Sequence, residues 1–324
     1  MNREVRSIEH FYKYGLYVVF VLLIIFFASM NPNFLSVGNI RNILQQSAAT
    51  GIAVVGLTFV MLTAGIDISI GSIMYFTASM IVYLISWGII PDNGFGIILA
   101  IVMSILIGAG VGAINSFFIS VVKIPPLITT IATLSTIRGI TFAINRLSGL
   151  FFDNFIGATI GRTRIFGLVP IVVIILILVL ISGQYTLKYT KFGRQIYAIG
   201  NNEHAAYRTG INVDRIKFIV YMISGATAGL SGFILGAQTN AVLTGFASES
   251  HFLIISAAIL GGVSLFGGKG KAFPGAFMGV LIVICIDNGL IFLGANPYIY
   301  TIVRGIVIFI AVAMDCIRFK GETR

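Results

Sequence analysis

Ten runs of mostly apolar residues, near 15–31, 47–65, 70–89, 95–121, 127–144, 167–183, 218–240, 251–267, 273–293 and 298–316, take up most of the chain. Each approaches the roughly 20 residues a helix needs to cross a hydrocarbon layer, where every backbone N–H and C=O must find its partner inside its own segment. The pattern predicts an all-α, polytopic transmembrane bundle of about ten spans, forming a single domain over residues 1–324. Composition agrees: 57% of residues are hydrophobic and 10% charged, against roughly a quarter charged in soluble domains. Arg3, Arg6 and Lys13 precede the first run in the manner of a secretory leader, but no small-residue cleavage site follows, so this run is read as an uncleaved helix.

The net charge of +10 would suit nucleic acid, yet in a membrane chain basic residues first report orientation, because Lys and Arg accumulate on the cytoplasmic side. With the N-terminus inside, inward segments hold 15 of the 21 basic residues and outward segments hold four, Arg41, Arg146, Arg162 and Arg164. Arg138 and Arg304 fall within spans. The asymmetry predicts both termini inside and accounts for the charge without nucleic acid. Two connecting segments stand out. The inner one, 184–217, carries charges with Ala and Tyr at helix-compatible spacing and is broken by Gly193, Gly200 and Gly210, which predicts one or two short helices outside the membrane. The outer one, 145–166, is apolar enough for a short helix at the membrane surface. Gly65–Gly71 and Gly262–Gly268 each follow a span and place glycine first and seventh, but the spans after them differ in number, and no internal repeat is inferred.

Enzymatic motifs are missing. The stretch 263–270, VSLFGGKG, resembles a phosphate-binding loop, but that motif needs a leading glycine and a Ser or Thr after the lysine to hold magnesium, where this chain has Val263 and Gly270. His10, His204 and His251 lack metal-ligand spacing, and Cys285 and Cys316 sit in or beside apolar runs, predicting neither disulfide nor metal. The chain is therefore assigned no catalytic residue, metal or cofactor of its own, and any ATP and magnesium belong to a separate subunit.

Asp67, Arg138, Asp287 and Arg304 are the ionisable residues at or near span depth. A charge at a helix centre costs ~2.5–3.5 kcal/mol on insertion scales, so each needs a partner, water or an interface. Asp67 reads equally as a turn or cap between spans and as a pathway residue; the two arginines read more readily as partners of carboxylates or carbonyls than as solute ligands. A route for a neutral polyol would be lined by hydroxyls and amides that exchange hydrogen bonds without holding it tightly. Asn115, Thr129, Thr130, Thr133 and Asn288 on the spans, with Asp67, are the candidates, although such residues also tie helix to helix. The 37 glycines point to close helix approach. Outside, Arg162 and Arg164 flank Thr163 and are candidates for pairing with carboxylates on a docking protein.

Six stretches, Gly65–Gly71, Asn115 with 123–126 (KIPP), 189–194 (YTKFGR), 198–202 (AIGNN), Ala205-Ala206 with 210–212 (GIN), and 261–268 (GGVSLFGG), together resemble the ribose-type permease family of binding-protein-dependent ABC importers, over about 35–315. The resemblance implies a multi-pass protein of the bacterial cytoplasmic (inner) membrane that pairs with a second permease subunit. It further implies an ABC ATPase subunit inside and an extracytoplasmic solute-binding protein delivering a monosaccharide outside. The segment 184–217 is similar to the family's coupling loop, which carries the ATPase-coupling role onto Glu203, Ala205, Ala206 and Gly210. His204 interrupts the usual Glu-Ala-Ala order, and Val263 stands where threonine is expected. More remote relatives carry nucleosides or branched-chain amino acids. An ion-coupled secondary transporter, the alternative class, would show paired carboxylates within the spans, and the sequence has none.

Overall fold

The computed structural model describes residues 3–165, 167 and 169–322, with 3–14, 297, 314 and 317–322 described by backbone alone. Phe166, at the end of the expected outer segment, and Arg324, in the inner basic group, lie outside the described residues. All ten apolar runs are helical: α1 (Arg3–Met30), α2 (Val37–Leu62), α3 (Ile70–Ser86), α4 (Gly94–Ser116), α5 (Pro126–Asn145), α7 (Ile171–Tyr189), α10 (Val213–Thr239), α11 (Ser250–Leu260), α12 (Phe277–Phe292) and α13 (Pro297–Glu322). A π-helical turn at Phe117–Val121 extends α4, and another at Ala272–Ala276 leads into α12. Six helices are long and apolar enough to cross a membrane on that criterion, and four apolar stretches, Gly15–Met30, Ile70–Ser86, Ser250–Leu260 and Tyr298–Ala313, are shorter. The chain is a polytopic helical membrane protein.

Boundaries depart from the apolar windows where capping overrides hydropathy. α2 starts ten residues early, because Ser36 accepts from the Asn39 N–H at 3.3 Å and Asn39 donates to the Phe34 carbonyl at 2.8 Å. α7 runs to Tyr189, after which the Thr190 hydroxyl accepts from Gly193 N–H at 3.1 Å and starts the amphipathic α8 (Lys191–Asn201). Asn202 caps α9 (Glu203–Arg208), so the inner segment holds two short helices, as expected. The outer segment holds α6 (Phe155–Arg162). α11 stops at Leu260, short of the window, as Gly261 and the left-handed Gly262 (φ +83°) turn the chain.

Hydrogen bonds sort the connections into two ends. At one end Asp92 accepts from the N–H groups of Phe155 and Ile156 at 2.9 and 3.0 Å, and Asn240 donates to Asp153 at 2.8 Å. There Leu150–Phe151 also pairs antiparallel with Ala241–Val242. At the other end Lys123 pairs with Asp214, Tyr197 donates to the Gly270 carbonyl at 2.8 Å, and Gln184 accepts from Phe273 N–H at 3.1 Å.

α10 is the axis, packing on α2, α3, α4 and α6. Lipid tails are as apolar as the helices, so burial alone does not drive helices together, and close backbone contact has to do so. Gly108 and Gly112 of α4 interlock with Gly225 and Gly229 of α10: a Cβ on Gly225 would lie 2.3 Å from the Gly108 carbonyl oxygen, and one on Gly108 would lie 2.1 Å from that of Gly225. On other faces of α10, Gly232 lies against the Met74 backbone of α3, and Gly56 of α2 against Ser224 and Thr227.

A side chain at this seam must push two backbones apart. Gly225→Leu should lower the thermal unfolding midpoint of the detergent-purified chain, by an overpacking penalty of about 1–3 kcal/mol or more. Gly110→Ala, on the same α4 where an added Cβ meets nothing within 4 Å among the described residues, should leave it unchanged.

Candidate functional site

Between α2 and α3 the chain is not helical. Ala64 turns left-handed (φ 57°), and Asp67 follows with no solvent exposure. A carboxylate at this depth requires donors, and it has three. Its Oδ1 accepts from the Ser69 N–H at 3.0 Å, the i to i+2 turn that Asp favours, and from the Ser69 hydroxyl at 2.6 Å; its Oδ2 accepts from the Ser224 hydroxyl of α10 at 2.7 Å. The chain of bonds continues outward. Asn115 Nδ2 of α4 donates to Ser69 Oγ at 2.8 Å, and Thr133 of α5 donates to Asn115 Oδ1 at 2.6 Å. Tyr221 of α10 donates to the Ile66 carbonyl at 3.2 Å. Three of the six pathway candidates, Asp67, Asn115 and Thr133, thus form one buried network with Ser69 and Ser224, two residues the sequence reading did not single out.

The other three do not join it. Thr129 and Thr130 donate to the carbonyls of Pro125 and Pro126, one turn back in their own helix, at 3.3 and 2.9 Å. Asn288 is buried on α12 with its Oδ1 unpaired, beside Asp287 in sequence. Asp287 takes Arg304 through Nε at 3.1 Å and Nη2 at 2.8 Å, so this arginine has the carboxylate partner the sequence reading expected.

A second break, between α11 and α12, is built like the first. Asp315 of α13, also buried, accepts from the Leu265 N–H at 2.9 Å and the Ser264 hydroxyl at 3.1 Å. It was missed because its position near the end of an apolar run read as a span terminus. The two breaks touch: Gly268 N–H donates to the Leu62 carbonyl at 3.0 Å. Gly200 of α8 sits on both, since a Cβ there would lie 1.9 Å from the Leu62 oxygen and 2.3 Å from Gly268 N. Three stretches far apart in sequence therefore meet backbone to backbone.

Beyond this junction α9 faces outward. Lys123, Glu203, His204, Tyr207, Arg208 and Gly210 are among the residues lining an open cleft of about 980 Å³. Ala205 is exposed and Ala206 buried, and Glu203 pairs with Lys217 at 2.7 Å. Gly210 (φ +81°) ends α9: its N–H bonds to the Tyr207 carbonyl at 3.0 Å, and Ile211 N–H bonds to that of Ala206 at 3.2 Å, the paired bonds of a Schellman cap that selects glycine. At the opposite end Arg162 closes α6 and Arg164 opens a two-residue strand paired with Val169–Pro170; both arginines are exposed.

The chain is similar to known transport permeases. The family model for the branched-chain amino acid transport system / permease component matches residues 39–312. The ribose import permease protein RbsC of Bacillus subtilis (strain 168) is 38% identical over 307 residues, covering 94% of this chain and 92% of its own. The D-allose transport system permease protein AlsC of Escherichia coli (strain K12) is 34% identical, covering 94% and 91%. The xylose transport system permease protein XylH of the same strain is 28% identical, covering 92% and 89%. No solved structure gives a significant match.

Removing one donor from the buried carboxylate should cost more than an ordinary hydrogen bond. Ser224→Ala is expected to destabilise the detergent-purified chain by about 1–3 kcal/mol. Ser182→Ala, which loses only an exposed bond to the Val179 carbonyl, should stay within about 0.5 kcal/mol. Thermal unfolding of the two variants side by side checks this.

Proposed function

The chain belongs to the branched-chain amino acid transport system / permease component family, and from that membership we propose that it is the membrane subunit of an ABC importer that moves a monosaccharide, best a pentose or a close relative, into the cell. The observation that carries the sugar reading is the end-to-end similarity to permeases named for ribose and D-allose, at 34–38% identity over more than nine-tenths of each chain. The family description names amino acids, but the three relatives compared above are named as sugar permeases. ATP hydrolysis falls to a separate ABC ATPase subunit, delivery to an extracytoplasmic solute-binding protein, and the pathway is completed by a second permease subunit.

In this reading all ten helices cross or enter the bacterial cytoplasmic (inner) membrane, with both termini inside. Supporting it, the basic 184–217 segment and the loop at Lys123 share one end, while the sparsely basic outer segments bond to one another at the other. The ATPase docks in the cleft at α9, against Glu203, Ala205, Ala206 and Gly210. Its motion reaches the membrane interior through α8, because Gly200 leaves no slack between that helix and the two breaks. Displacing Leu62 moves the break that carries Asp67, and with it the hydrogen bonds to α4, α5 and α10. Asp67, Asn115 and Thr133 thereby set which helices move together, and Thr129, Thr130 and Asn288 stand beside the route rather than in the brace. On the outer side Arg162 and Arg164 offer cations to carboxylates of the binding protein.

Two measurements test the reading. The first is coupling. Among the described residues nothing lies within 4 Å of a Cβ at Gly210, so substitution there acts through backbone strain and on a docked partner. In proteoliposomes holding the full complex, Gly210→Val should cut ribose transport about tenfold or more while the chain still inserts. Gly210→Asn, which tolerates the left-handed cap, should restore most of it. Equal transport in Gly210→Val and wild type would make the segment a mere linker. The second is orientation. With Cys285 and Cys316 replaced by serine, an impermeant thiol reagent on intact cells should label Ala158→Cys and spare Asn202→Cys, and the opposite pattern would invert the topology.

A further inference from the structure

The two arginines inside the spans look alike in sequence and differ in their surroundings. Arg304 is held by Asp287 through two of its nitrogens, with Glu249 3.7 Å away, and its charge is compensated within the protein. Arg138, half-buried midway along α5, has no carboxylate at ion-pairing distance among the described residues. Its Nη2 reaches the Phe246 carbonyl at 3.5 Å, the long limit of a hydrogen bond, and its Cζ lies 5.6 Å from the centre of the Tyr75 ring. A guanidinium has five N–H donors, and these contacts engage few of them. An arginine retained at span depth, at a cost of ~2.5–3.5 kcal/mol and without a counter-ion, is there for something that comes and goes.

What surrounds it fits a polyol. Tyr75, fully buried on α3, is the platform, flanked by the rings of Phe142 and Phe246 at 5.8 and 6.2 Å. Asn145 of α5 donates to the Tyr75 hydroxyl at 3.2 Å and to Ser79 at 2.9 Å, and its buried Oδ1 has no partner among the described residues. One turn along the same face of α3, His251 of α11 sits against Gly71 with a buried, unpaired Nδ1. Arg138 lies five residues beyond Thr133, about 7.5 Å along the helix towards the proposed outer side. α3, α5, α11 and the loop before α11 thus bring one charged donor, two unpaired polar atoms and an aromatic platform together just outside the Asp67 network.

We propose that Arg138 is a contact residue for the hydroxyl oxygens of the permeating sugar, with Tyr75 as the positioning residue that holds the guanidinium flat and its donors forward. This rests on the monosaccharide reading above. A neutral polyol accepts from the guanidinium without forming an ion pair, so it is held weakly enough to move on. The anchored Arg304 takes no part.

The test uses the full complex in proteoliposomes, with ribose as probe and Cys285 and Cys316 replaced by serine. Arg138→Lys, which keeps the charge and loses the planar fork, should lower ribose moved per ATP hydrolysed by about tenfold. Arg138→Gln, which relieves the burial of charge and so inserts at least as well, should show a similar loss. Arg138→Cys should react with a small water-soluble methanethiosulfonate, and ribose delivered by the binding protein should slow that reaction. Wild-type transport per ATP in both the Lys and Gln variants, or a thiol at position 138 inert to the reagent with and without ATP, would overturn the assignment. So would a transport loss that tracks dissociation of the two permease subunits in both variants, since Arg138 would then serve the subunit interface. Labelling of the Arg138→Cys variant, when the complex with Arg138 intact moves no ribose, allose or xylose, would support Arg138 as a pathway residue and overturn the sugar reading instead.

Discussion

The seam between α4 and α10 is the contact on which the rest of the molecule depends. In water, two apolar helices would be pressed together by the solvent; in lipid they gain nothing from burial as such, and only atom-to-atom closeness distinguishes a neighbour from a lipid tail. Gly108 and Gly112 facing Gly225 and Gly229 bring main chain onto main chain. That contact fixes more than distance. Ser224 precedes Gly225, and Asn115 follows Gly112 by three residues, so the same seam that locks the helices places the two side chains that reach Ser69 and Asp67. A shift of either helix along the other would unmake the polar network before it unmade the bundle.

Each of the two helix breaks is stabilised by the same local chemistry. Interrupting a helix at span depth frees backbone groups that cannot turn to water. At the first break Asp67 takes the Ser69 N–H and hydroxyl, and at the second Asp315 takes the Leu265 N–H and the Ser264 hydroxyl. The resemblance is one of function rather than of repeated sequence, since Asp67 lies within its break whereas Asp315 comes from a different helix. The second break is therefore sensitive to where α13 sits, and the first to where α10 sits.

How much of this was legible depended on whether the information was local. Each of the ten apolar runs coincides with a helix, six of them long and apolar enough to cross a membrane, and hydrogen bonds link the Lys123 loop to the 184–217 segment and the outer segments to one another. Gly210 was readable because a helix cap is a local device. Thr129, Thr130 and Thr133 are neighbours of one type on one helix, and nothing in the sequence says that the third reaches Asn115 while the others turn back to carbonyls a turn away. Asp315 was hidden inside a run scored by its average. Arg138 and Arg304 could be told apart only once it was known that Asp287 sits 17 positions from one of them and across a helix pair from it. Among 37 glycines, the four of the seam carry no mark except their four-residue spacing.

The arrangement also says what kind of motion the protein can support. Aside from the carboxylate, the network's partners are hydroxyls and an amide, groups that can donate or accept and can exchange one partner for another at small net cost. An ion pair at the same place would lock α3 to α10, because separating buried charges is far more costly. Such a pair exists at Asp287 and Arg304, on α12 and α13, away from the α8 junction. The molecule thus has a charged clamp that holds α12 and α13 as a unit and a hydrogen-bonded brace around Asp67 that joins the first break to α4, α5 and α10. Force arriving at Gly200 meets the brace rather than the clamp. Backbone packed on backbone at Gly200, Leu62 and Gly268 transmits that force without the slack a long side chain would introduce. The interlocked glycines of α4 and α10 resist it, and Gly232 against the Met74 backbone ties α3 to the same pair, so α5, joined to α4 through the Thr133 hydroxyl, is the helix left to yield.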